Sequence, residues 1–167
     1  MQPAALSMPC RHLDRPSSDD VQVLLAHARM LQRPGDPRLR QLLLKGKNLG
    51  LLCESAEDAD SALFRRAAAE LGARVSHIRP GLSGLAPAGV RRDASQMLGR
   101  LYDGIECQGL PAPLIEEMGR DAGIPVYDGI ASMHHPTVGL IRQIDGDASD
   151  ACKRQLLLQA VLLATLR

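Results

Sequence analysis

Lys45-Gly-Lys-Asn-Leu-Gly-Leu-Leu-Cys-Glu-Ser-Ala-Glu-Asp-Ala-Asp-Ser61 is the stretch that decides how this chain folds. Leu49 to Cys53 is a short apolar run of the kind that makes a buried strand. From Ala62 to Gly72, Leu63, Phe64, Ala67 and Leu71 recur at helical spacing on one face. A strand that turns directly into a helix aims the helix's free backbone N–H groups at the turn, a geometry suited to an anion. Glu57, Asp58 and Asp60 stand in that turn, so its side chains carry the charge that the backbone would attract.

The same alternation continues outward. Strands are expected at 49–53, 74–78, 103–107 and 125–128, and helices at 62–71, 91–101, 112–122 and about 136–143. Four strand-then-helix units argue for an α/β fold: a three-layer open parallel sheet of at least four strands, with helices on both faces. Upstream, Ser17-Ser18-Asp19-Asp20 offers an N-cap and an acidic first turn to a helix bearing Val21, Leu24, Leu25, Ala28 and Leu31, and Arg33 to Pro37 breaks it. Gly123-Ile124-Pro125 closes one helix and opens the next strand, and Gly81 to Gly89 reads as a mobile surface loop. Leu156, Leu157, Leu158, Val161, Leu162, Leu163 and Leu166 make a last helix too apolar to stand free in water. The first helix is its expected partner, with Asp145 to Asp150 supplying the turn and N-cap between the last helix and the domain.

Composition bounds the function. A chain of 167 residues, 45% hydrophobic and 23% charged, has the make-up of one globular domain, expected over 11–167 behind a loose leader at 1–10. A net charge of +1 and only three aromatics, Phe64, Tyr102 and Tyr127, give no basis for nucleic-acid or membrane partners. Cys10, Cys53, Cys107 and Cys152 form no Cys-x-x-Cys pair and read as free thiols. With no signal-like or membrane-spanning apolar run, a cytoplasmic location is the expectation. His134 and His135, with Asp128 and Cys107 nearby, lack ligand spacing, so no metal is expected, and no cofactor. Without a Gly-x-Ser-x-Gly elbow, Ser83 is a loop serine.

Ligands of an open α/β sheet gather beyond the carboxyl ends of its strands, here Glu54 to Ser61, Arg79 to Leu85, Gln108 to Leu110 and Asp128 to His135. Several segments carry a family resemblance: Lys45-Gly-Lys47 with its strand, turn and Phe64-bearing helix; His12-Leu13-Asp14; Asp93 to Asp103; Pro125 to Gly129 before His135-Pro136; and Gln159 to Leu166. Together they resemble the N-terminal, carbamoyl-phosphate-binding domain of the aspartate and ornithine carbamoyltransferases, followed by that family's last helix, with the lineage left open between the two. The resemblance implies that 141–154 replaces the family's amino-acid-binding domain and that 155–167 is the family-like C-terminal helix. It also implies a homo-oligomer, a trimer formed through this domain.

Residue by residue, Glu57-Asp58-Ala59-Asp60-Ser61 stands at the family's Ser-Thr-Arg-Thr-Arg, and Gln108 stands where an arginine is expected. His135-Pro136-Thr137-Val138 keeps the family's His and replaces its Gln with Val. Glu57, Asp58, Asp60, Ser61, Gln108 and His135 are thus expected to form a degenerate carbamoyl-phosphate pocket, with His135 the remnant of the catalytic set. The acids are expected to cap the helix, and Arg65 and Arg66 to lie on its solvated or subunit-facing side. Two functions follow as expectations. One is an inactive, truncated carbamoyltransferase-like protein serving as an oligomeric scaffold, regulator or subunit, with a protein partner unidentified. The other is retained small-molecule binding, or carbamoyl or carboxyl transfer completed by a partner in amino-acid metabolism.

Overall fold

The structure, a computed structural model, describes residues 13–81 and 85–166. The expected leader at 1–10, Cys10, His12 and Ser83 lie outside the described residues, as does the middle of the 81–89 loop. In chain order the elements are α1 (Ser18–Gln32), α2 (Pro37–Arg40), β1 (Asn48–Leu52), α3 (Ala59–Glu70), β2 (Arg74–Ile78), α4 (Ala88–Leu101), β3 (Gly104–Cys107), α5 (Ala112–Ala122) and β4 (Val126–Asp128), then a 3-10 helix (Pro136–Gln143) and α6 (Asp150–Thr165). The four strands form one parallel sheet in the order β2-β1-β3-β4. Helices cover both of its faces, as the strand-helix rhythm predicts.

Strand alternation divides the apolar side chains between two layers. Leu49, Leu51 and Tyr127 face α1, α3 and α6, where Leu24, Leu25, Phe64, Ala67, Leu158 and Leu162 complete the larger core. Leu52, Ile105 and Cys107 face α4 and α5, meeting Ile115, Leu98 and Met118. α6 packs against both α1 and α3, which is why its residues Leu157 to Thr165 are buried without a break. Polar ties help to fix it there. The Tyr127 and Thr165 hydroxyls meet at 2.6 Å, and Gln159 Nε2 donates to the Ala67 carbonyl at 3.2 Å.

Local chemistry sets the element ends. Ser17 Oγ accepts from Asp20 N at 3.2 Å while Asp20 Oδ2 accepts from Ser17 N at 2.9 Å, a reciprocal capping box that starts α1 as expected. Gly123 ends α5 in the left-handed conformation at φ 69°. A Cβ on Gly99 of α4 would lie 2.0 Å from the Ala122 carbonyl oxygen of α5. The two outer helices cross there at a distance only glycine permits.

Several expected boundaries move. α3 begins at Ala59 rather than 62, and α4 at Ala88 rather than 91, which shortens the loop expected at 81–89. The last helix begins at Asp150, not 155, with Ser149 Oγ capping Cys152 N at 3.3 Å. Pro37–Arg40 is an additional turn of helix capped by Asp36, whose carboxylate accepts from Arg38 N. The segment 136–143 winds as a 3-10 helix; Pro136 and Gly139 are both poor α-formers. Cys53 and Cys107 are buried free thiols and Cys152 is exposed. Among the described residues no helix is long and apolar enough to cross a membrane.

Candidate functional site

From β1 the chain crosses to β2 on one side, and β3 lies on the other, so the sheet's topological switch falls between β1 and β3. Connections diverge there and leave a crevice beyond the carboxyl ends of the strands. A cavity of about 800 Å³ occupies that place, walled by Cys53 to Ser55, Asp58, Asp60 and Gln108, with Arg91 and Glu117 opposite. Among the described residues its one arginine is already engaged. Arg91 Nε and Nη2 donate to the two Glu117 carboxylate oxygens at 3.0 and 3.1 Å, which holds that carboxyl below its usual range.

Beneath the cavity runs a chain of buried polar groups. Ser61, buried at the start of α3, has its Oγ 2.6 Å from Gln108 Oε1 and 3.1 Å from the Ser55 carbonyl. Gln108 Nε2 donates to Glu106 Oε1 at 3.3 Å. Glu106, fully buried in β3, also accepts from Ile130 N at 3.2 Å and Ala131 N at 3.3 Å. Burial pushes its carboxyl up to about 8 against the opposing effect of those donors. Among the described residues Ser61 Oγ thus meets an amide, a carbonyl and, at 3.6 Å, the Cys53 thiol, none of them a base, so the arrangement does not activate a nucleophile.

The acidic turn differs from expectation in two respects. Asp58 is the N-cap residue of α3 by backbone geometry, yet its side chain makes no capping bond. Asp60 lies inside the first helical turn, 3.9 Å from Arg154 Nη2 of α6. The acids therefore do not close the helix end, because the turn is held by other groups. Ser55 Oγ accepts from Glu57 N at 3.2 Å, and Arg65 Nη2 reaches back to the Ala56 carbonyl at 2.6 Å. Arg65 is exposed, on the solvated side as expected, and from there its guanidinium braces the turn. Arg66 bonds Gln155 of α6 at 2.7 Å.

The six expected pocket residues are not gathered in one place. Asp58, Asp60 and Gln108 wall the cavity and Ser61 lies beneath it, while Glu57 is exposed. His135 walls a second cavity of about 700 Å³ between α5, β4 and Leu13-Asp14. Its Nδ1 accepts from Thr137 N at 3.3 Å, capping the 3-10 helix, and its Nε2 is 3.9 Å from Asp14 Oδ1. Burial keeps His135 below the ordinary histidine range, whereas burial and the Asp14 charge hold Asp128 above the usual carboxylate range. Glu106 and Arg154 escaped the sequence reading. A glutamate in the centre of Gly-Ile-Glu-Cys, an otherwise uncharged strand, was the available signal for the first.

No family model matches the chain. Among curated proteins it is 35% identical over 121 residues to an ornithine carbamoyltransferase of Cutibacterium acnes, covering 72% of this chain and 36% of that protein. It is 34% identical over 136 residues to a catabolic ornithine carbamoyltransferase of Haemophilus influenzae, covering 80% and 41%. Among solved structures, ornithine carbamoyltransferase from Thermus thermophilus superposes with a TM-score of 0.61 at 26% identity, over 77% of this chain and 44% of that one. The enzyme from Pyrococcus furiosus gives a TM-score of 0.64 at 19% identity, over 85% and 45%, a likeness of fold. The chain spans about two-fifths of the length of the curated relatives it matches.

Proposed function

We propose that this chain, a partial ornithine-carbamoyltransferase-like domain, is a non-catalytic member of an assembly, a scaffold, regulator or subunit that has given up the phosphate clamp of its relatives. One observation carries the reading: at the switch point, the cavity wall presents Glu54, Asp58, Asp60 and Glu117 against the single, already paired Arg91. A carboxylate about 5 Å from a phosphate charge costs on the order of 3 kcal/mol at an effective dielectric near 20. Solvent reduces this for the exposed acids, but the sign remains repulsive. Each missing donor to a developing oxyanion costs about 2.7–4 kcal/mol of transition-state stabilisation, and Gln108 is committed to Ser61 and Glu106.

Within 141–154, residues 144–149 then serve as a short connection from the 3-10 helix into α6, in place of a domain that would hold and orient an amino-acid nucleophile. The resemblance to the family favours a homo-oligomer, a trimer. Val90, Met97 and Leu101 leave apolar surface exposed on α4, available for burial in such an assembly.

A second reading has its own support. A cavity of about 800 Å³ with an excess of carboxylates suits a small cationic ligand, so a retained binding role competes with the scaffold. Titration calorimetry with carbamoyl phosphate, inorganic phosphate, ornithine, aspartate and polyamines tests both. No anion binding and no carbamoylated amino-acid product are expected, with light scattering showing a multiple of 18.0 kDa. Polyamine or ornithine binding at micromolar levels would favour the second reading. Carbamoyl-phosphate binding at low millimolar or better, or product formation, would overturn both.

A further inference from the structure

Glu106 is fully buried, and its three hydrogen-bond partners come from two parts of the site's framework. Gln108 follows β3, whereas Ile130 and Ala131 belong to the segment after β4. Through Gln108 the chain reaches Ser61 at the start of α3, and through Ser61 the Ser55 carbonyl in the acidic turn. One carboxyl group therefore joins the β1–α3 turn, the end of β3 and the β4 connection.

Counting hydrogens shows that this chain has two self-consistent arrangements. In the first, Glu106 is ionised and accepts from Gln108 Nε2, Ile130 N and Ala131 N. Gln108 Oε1 then draws the single Ser61 O–H, leaving the Ser55 carbonyl to the weaker Cys53 thiol, whose Sγ is 3.2 Å away. In the second, Glu106 carries a proton and donates it to Gln108 Oε1, which a half-turn of the amide has brought round. Gln108 Nε2 now donates to Ser61 Oγ, and the Ser61 O–H goes undivided to the Ser55 carbonyl. Only Gln108 Oε1 and Nε2 exchange places; one proton is taken from water and no covalent bond other than O–H is made or broken.

We propose that Glu106 is a proton-operated latch, in which uptake of one proton reverses the Gln108 amide and transfers the Ser61 hydroxyl wholly to the acidic turn. The latch tightens the cavity wall when Glu106 is neutral and slackens it when Glu106 is ionised. The inference is independent of whether the cavity holds a ligand.

The charged surroundings agree with a neutral resting state. Asp128 on β4 opposes ionisation, while Arg154 of α6 is engaged elsewhere, donating to the Ala131 carbonyl at 2.7 Å and facing Asp60 of α3. Cys107, next in the strand, has its thiol pushed up by burial and by Glu106 itself. Glu106 rises from an ordinary 4.5 to about 8, so the folded chain holds a proton that the unfolded chain has released between those values. Stability from this group is full below pH 4.5 and is lost as pH rises through about 8.

The test is a carboxyl carbon-13 titration of the intact protein by nuclear magnetic resonance, with backbone and Gln side-chain amides followed in parallel. The Glu106 carboxyl should titrate near pH 8, and the Ile130, Ala131 and Glu57 backbone amides and the Gln108 side-chain amide should move along the same curve. Glu106→Gln, which cannot ionise, should abolish those shifts and flatten the fall in melting temperature between about pH 5 and 8. A Glu106 that titrates in the ordinary carboxylate range, or one that titrates near 8 while Gln108 and Glu57 stay still, overturns the latch. The native-sequence titration decides the matter even if the variant folds poorly.

Discussion

A chain ending at Asp150 is expected to lose its cooperative unfolding transition. The deletion removes Leu157, Leu158, Val161, Leu162, Leu163 and Leu166, all buried in the larger core. Each contributes about 1.5–3 kcal/mol by removal of apolar surface from water, and their sum reaches or exceeds the 5–15 kcal/mol or so that holds a typical domain folded. The loss falls on two neighbours at once, because α6 covers both α1 and α3. Circular dichroism during thermal denaturation should show a broad, non-cooperative loss of helix. A milder version, Leu162→Ala, should cost about 2–5 kcal/mol and keep the transition sharp. An unaltered melting curve for the shortened chain would mean that α6 does not form part of the core.

Gly99→Ala should be the most damaging single methyl addition in the second helix layer. The new Cβ would lie 2.0 Å from the Ala122 carbonyl oxygen, and because that atom is backbone, no side-chain rotation relieves the overlap. α4 must lift away from α5, stretching the Arg91–Glu117 pair that walls the cavity and loosening the packing of Leu98 on Ile115 and Met118. Overpacking of this kind costs about 1–3 kcal/mol and more where backbone must move. That corresponds to a melting temperature lower by at least about 2–4 °C for each kcal/mol in a chain of this size. Gly89→Ala, earlier in the same helix with no atom within 4 Å of the added Cβ, is the control, and helix propensity alone should leave it neutral or slightly stabilised. Equal melting temperatures for the two variants would refute the close crossing.

The fold was legible because each of its elements repeats a local signal. The Leu63, Phe64, Ala67 and Leu71 stripe, the Ser17–Asp20 cap and the Gly123 stop all announce themselves within a few residues, and each stands as expected. The unbroken apolar run of α6 was legible for the opposite reason: a helix with no polar face must be covered on several sides. The site was less so. Whether Asp58 caps α3 depends on a single side-chain torsion, and whether the exposed Arg65 reaches back to the Ala56 carbonyl depends on a long, many-jointed side chain; neither leaves a trace in spacing. His135 was placed with the acidic turn by the order of strand ends. The 3-10 helix that it caps turns it toward Asp14 instead. Glu106 was overlooked because a four-residue strand buried on both sides shows no alternation to single out one inward position.

The seam between α1 and α6 also has a history in time. α1 and α6 lie at opposite ends of the described chain, and Gln32 of α1 donates to the Asp145 carbonyl, just ahead of α6, across 113 positions, whereas each strand-helix-strand unit closes within a short span of sequence. Closing the longer loop costs more chain entropy, and contacts of such separation come late and slow the approach to the native state. During synthesis the four strands and α1 leave the ribosome before α6 does. Until then, Leu24, Leu25, Phe64 and Tyr127 lack the helix that shelters them. The nascent chain passes through a stage with a finished sheet and an open apolar flank, the kind of surface that chaperones bind and that associates with its own kind when unattended.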